Sequence, residues 1–84
     1  HVRTFAPDDE VMNGLARLCL GRTLLRDEIL DEADAVLREA WGIFERTPPP
    51  NRDDVLTLAS ALADCAEARG FEAEAERWRQ VAKE

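Results

Sequence analysis

The chain has 84 residues, with 11 Lys plus Arg against 18 Asp plus Glu and a formal net charge of −7, which leaves room for one small domain burying roughly 60 to 65% of its unfolded surface. Bulk negative charge repels phosphate backbones and argues against nucleic acid as a partner. No apolar stretch approaches the roughly 18 residues of a membrane span, and no signal-like segment stands out, so a cytoplasmic protein without a membrane partner is the expectation.

His1 to Ala6 has no clear period and reads as a lead-in, and a start at His1-Val2-Arg3 suggests a piece trimmed from something larger. Pro7-Asp8-Asp9-Glu10 follows, with acidic residues where free backbone N–H groups favour negative charge. A first helix is therefore predicted from Asp8 or Asp9 to about Leu25, with Val11, Leu15, Leu18 and Leu25 as its apolar stripe. Asp27 is the expected cap of a second helix over about Glu28 to Arg46, whose apolar face is Ile29, Ala33, Val36, Leu37, Ala40, Trp41 and Phe44. Pro48-Pro49-Pro50 ends it, because proline removes a backbone donor and restricts the residue before it. The third helix, about Asp53 to Ala68, carries Val55, Leu56, Leu58, Ala59, Leu62, Cys65 and Ala66. Gly70 supplies a left-handed stop, and a fourth helix over about Phe71 to Lys83 uses Phe71, Ala75, Trp78 and Ala82. With no strand candidate, the fold class is all-α: two antiparallel helical hairpins in a single domain, residues 1–84. Cys19 and Cys65 lie inside apolar helical patterns with no CxxC spacing and read as buried free thiols rather than a redox pair.

The two halves are self-similar at a spacing of 42 residues. Leu20 to Ala40 aligns with Leu62 to Ala82, pairing Leu20 with Leu62, Gly21 with Ala63, Ala33 with Ala75, Val36 with Trp78 and Ala40 with Ala82. Small residues at fixed phases of a fixed period are how stacked helical hairpins are written, since each hairpin needs a neighbour to cover its apolar face. Gly21 with Ala33, and Ala63 with Ala75, fall where the helices of each hairpin cross, while Leu20, Leu24, Leu37 and Leu62 supply the area around them.

On these residues the chain resembles the tetratricopeptide repeat, in the 42-residue form of kinesin light chains and many bacterial proteins. Leu20-Gly21, Leu24, Ala33, Leu37 and Ala40 occupy the motif phases of a first repeat, about 12–47, and Leu62-Ala63, Ala66, Gly70, Ala75 and Ala82 those of a second, about 53–83. Glu28 stands where the first repeat would have its turn glycine, Arg79 takes the second repeat's aromatic phase, and there is no tyrosine. The resemblance implies a right-handed solenoid fragment, a non-catalytic scaffold and bacterial origin. It also implies a concave groove lined by Leu18, Arg22, Leu25, Arg26, Ser60, Asp64 and Glu67, taking a protein or peptide of acidic character. The alternative is a structural domain that packs on its own chain or self-associates through an end face around Trp78 and Val81. An unrelated four-helix bundle is the remaining reading of the same pattern.

Chemistry-bearing constellations are weak in the sequence. His1 is terminal and the sole histidine, two dispersed cysteines cannot complete a zinc site, and no glycine-rich phosphate loop occurs. Asp27, Glu28, Asp31, Glu32 and Asp34 coincide with a helix start and read as charged surface, as do Glu67, Glu72, Glu74 and Glu76. The expectation is no enzyme activity, no cofactor and no metal.

Overall fold

A computed structural model describes residues 7–83, with side chains from residue 10 onward. It contains four helices, α1 (Pro7–Arg26), α2 (Leu30–Arg46), α3 (Arg52–Ala68) and α4 (Glu72–Lys83). The expected cap at Asp8 or Asp9 lies outside the described side chains. No described helix is long and apolar enough to cross a membrane.

The largest departure from the predicted boundaries is the start of α2, at Leu30 instead of Glu28. Asp27 caps nothing there, because α1 closes differently. Glu28 takes a left-handed conformation, φ 62°, the Ile29 N–H reaches back to the Leu24 carbonyl at 2.9 Å, and the Glu28 N–H to that of Leu25 at 3.0 Å. This is a Schellman closure, usually built on glycine. Ile29 then precedes α2 without a side-chain cap, and Asp31 and Glu32 provide the negative charge of the first turn.

The second hairpin repeats that turn bond for bond. Asp27 to Thr23, Glu28 to Leu25, Ile29 to Leu24 and Ala33 to Ile29 become Arg69 to Cys65, Gly70 to Glu67, Phe71 to Ala66 and Ala75 to Phe71. Every donor and acceptor moves by 42 residues, so the sequence period is also a structural period. Gly70 adopts φ 85° at the position Glu28 holds in the first copy. Between the hairpins, Thr47 closes α2 through the Ile43 carbonyl at 2.8 Å, and Pro48 to Pro50 lead to Asn51, whose side chain accepts from the Asp53 N–H at 2.9 Å and caps α3.

Within each hairpin the two helices pack along their lengths, α1 on α2 and α3 on α4. The second hairpin docks through α3, which meets both α2 and α1. Among the described residues α1 and α4 do not meet, so the helices are not closed into a ring. The principal extents are 48 × 27 × 15 Å.

Close approach within the first hairpin rests on glycine. A Cβ at Gly21 would overlap the Leu37 side chain, and one at Gly14 would overlap the Phe44 ring. Ala33 and Ala75 are fully buried, and Leu37, Leu58, Leu62 and Cys65 form the sealed seam of the core. Cys65 donates its S–H to the Leu30 carbonyl at 3.4 Å, tying α3 to the start of α2.

Four apolar residues depart from the sequence reading. Cys19 is exposed, not buried. Leu20 is half exposed although its repeat mate Leu62 is sealed, because α3 has a hairpin on the side where α1 has solvent. Ile29 and Phe71 are exposed as well, since the Schellman closures place them in the turns ahead of the helices.

Ala33→Leu should cost about 1 to 3 kcal/mol by overpacking a sealed crossing, whereas Ala35→Leu on the exposed side of α2 should stay within about 0.5 kcal/mol. Denaturant melts of the two variants check the phase assignment.

Candidate interaction surface

Two clefts flank the seam. The larger, about 680 Å³, runs between α1 and α3 and is lined by Cys19, Arg22, Thr23, Leu25 and Arg26 on one wall and Thr57, Ser60, Ala61 and Asp64 on the other. Arg22 and Arg26 stand one helical turn apart, both exposed, and neither forms an ion pair among the described residues. Thr23 turns its hydroxyl back onto the Cys19 carbonyl at 3.0 Å. The cleft is therefore polar and cationic on its α1 side, with a carboxylate on its α3 side.

The structure brings Arg22, Leu25, Arg26, Ser60 and Asp64 of the expected groove to this cleft. Leu18 is buried in the core instead, and Glu67 turns away to pair with Arg79 of α4 at 3.0 Å. Trp78 does not stand alone on an end face. Its ring meets Trp41 of α2 edge-on, with centroids 4.9 Å apart and planes at 76°, an arrangement worth about 0.5 to 1.5 kcal/mol beyond its area. Val81 joins Arg38, Trp41, Glu74, Arg77 and Trp78 around a second cleft of about 290 Å³ between α2 and α4.

Sequence reasoning missed an ionic link between the hairpins. Asp34, expected at the surface, is largely covered and places Oδ2 2.8 Å from Arg38 Nε and 3.1 Å from Arg69 Nη1. Arg38 pairs in turn with Glu74 of α4. Arg69 also reaches Asp31 and lies over the Phe71 ring, 4.9 Å from its centroid. The hydrogen bond from Arg38 to Asp34 raises the guanidinium pKa against the opposing effect of burial. The available signal was the i, i+4 spacing of Asp34 and Arg38; Arg69 and Glu74 come from distant sequence.

Among the described residues no three His, Cys, Asp or Glu side chains converge on a metal-sized site. Compared with protein-family models, curated proteins and solved structures, the chain matches none of them. What the structure displays is four helices in two packed hairpins whose turns recur at 42 residues.

Burial pushes the Cys65 thiol pKa up, Asp34 adds to the shift, and Arg69 and Arg38 oppose it. A raised thiol pKa means the folded state favours the neutral form. That contribution to stability is fully present below the ordinary thiol value of about 8.5 and is lost as pH rises through the folded value. Iodoacetamide should alkylate Cys19 readily in the folded protein and Cys65 only on unfolding, and melts should weaken from about pH 8.5 upward. Equal labelling rates for the two thiols would contradict this assignment.

Proposed function

We propose that this chain is a structural, non-catalytic domain of tetratricopeptide type, two repeats in right-handed succession that pack on their own chain or self-associate, without a small ligand. The observation that carries the reading is the sealed seam of Leu37, Leu58, Leu62 and Cys65, backed by the turn that recurs with every bond displaced by 42 residues. Apolar surface that a deep ligand pocket would need is already committed to joining the hairpins. The test is whether the hairpins act as one unit: Leu62→Ala should cost about 2 to 5 kcal/mol while amide exchange in α2 and α4 continues to report a single opening. Separate melting of the two hairpins would count against a self-packed domain.

A second reading is favoured by Arg22 and Arg26, two cations that form no ion pair among the described residues and stand beside the hydroxyls of Thr57 and Ser60. Such a wall suits an acidic peptide segment, held by charge-assisted hydrogen bonds that salt weakens. Titration with a glutamate-rich peptide should perturb the amide signals of residues 22 to 26 and 57 to 64. Changing both arginines to Glu should abolish the effect while circular dichroism stays unchanged, and equal binding by parent and double variant would remove the cleft from consideration.

A further inference from the structure

α1 is apolar on two opposite sides. One side, Val11, Gly14, Leu18 and Gly21, is buried. The other carries Met12, Ala16, Cys19, Leu20 and Thr23, all exposed, at spacings that hold them in one stripe with no charge among them. Met12 is 63% and Leu20 50% exposed. The first stripe is covered by the fold, and the second is a contiguous exposed apolar patch of the kind that marks an interaction surface.

The internal repeat shows what kind of cover it fits. Displaced by 42 residues, Ala16, Cys19, Leu20 and Thr23 become Leu58, Ala61, Leu62 and Cys65, all of them buried in the core. α1 thus presents to solvent the face that α3 buries within the fold. A head-to-tail stack of copies is not matched to it. The α4 positions equivalent to Leu37 and Trp41 are Arg79 and Lys83, two charges in place of two large apolar side chains.

We infer that the outward stripe of α1 pairs with the same stripe of a second copy, antiparallel about a two-fold axis at Ala16. This inference specifies the self-association in the structural reading above. The stripe is self-complementary under that symmetry: small Ala16 lies on the axis, and Met12 of one copy falls opposite Leu20 of the other. Charge agrees with the antiparallel sense. The first turn of α1 carries Asp8 and Asp9 and its later turns Arg22 and Arg26, so the acidic end of each helix runs beside the basic end of its mate, and the two helix dipoles oppose. Arg22 and Arg26, which form no ion pair among the described residues, gain partners in the pair.

Sedimentation equilibrium between about 10 µM and 1 mM, where a weak interface saturates, should show dimer replacing monomer. The double variant Met12→Glu, Leu20→Glu should stay monomeric with the parent's circular dichroism and melting. In a Cys19→Ser background, Ala16→Cys should give a disulfide-linked dimer under mild oxidation, because on-axis thiols of two close helices fall within bridging distance, and Ala35→Cys should not. A parent that remains monomeric to 1 mM while unfolding as one unit would overturn this pairing, leave the self-packed domain standing, and assign the stripe to another helical hairpin. Growth beyond dimer, or a dimer indifferent to the two glutamates, would overturn it too.

Discussion

The close approach of α1 to α2 at Gly21 is the constraint on which the rest of the structure depends. Only without a Cβ at that position can Leu37 lie where it does, and Leu37 belongs to the same sealed core as Leu58 and Leu62. Gly14 makes a second such opening for Phe44, two turns earlier on α1. Each glycine costs a helix interior about 1 kcal/mol relative to alanine, which the burial of a Leu or Phe side chain, about 1.5 to 3 kcal/mol, more than offsets. The hairpin is thus specified by where side chains are missing as much as by where they are large.

Electrostatics acts on a different scale. The core among the described residues contains no buried polar or charged side chain, so ion pairs orient the hairpins from outside it. Arg69 is the pivot, joined to Asp31 and Asp34 of the first hairpin while stacked on its neighbour Phe71. The pair with exposed Asp31 contributes about 0 to 1 kcal/mol, and the pair with Asp34 is the more covered of the two. Their value lies in fixing angle and register between two bodies that the apolar seam alone would hold less specifically.

The helices, their order and the crossings at Gly21, Ala33 and Ala75 were legible in the sequence because they follow from periodicity and residue size, which are local properties. Glu28 was not legible as a turn residue: its side chain signals helix, and only the Schellman bonds reveal that the chain reverses there. Leu20 and Cys19 were misread because a pattern records that a face is apolar, not whether anything in the chain covers it. Gly14 passed unnoticed since its repeat mate, Leu56, is large, leaving no repeated small residue to mark the crossing. Of the expected groove, Arg22, Leu25, Arg26, Ser60 and Asp64 do share one cleft, while the turning away of Glu67 depends on Arg79, twelve residues further on. Asp34 could be paired with Arg38 from spacing alone, but its second arginine requires the fold.

The edge-on meeting of Trp41 and Trp78 has an optical consequence. These are the two tryptophans of the chain, one on each hairpin, and their rings lie close enough for the indole transitions to couple. Near-ultraviolet dichroism, which depends on fixed tertiary packing, is thereby concentrated at the junction between repeats. Far-ultraviolet dichroism is dominated by the helices wherever they are, so a state in which both hairpins persist but have come apart would lose its near-ultraviolet signal while keeping most of its far-ultraviolet one. The molecule carries its own docking gauge without a label.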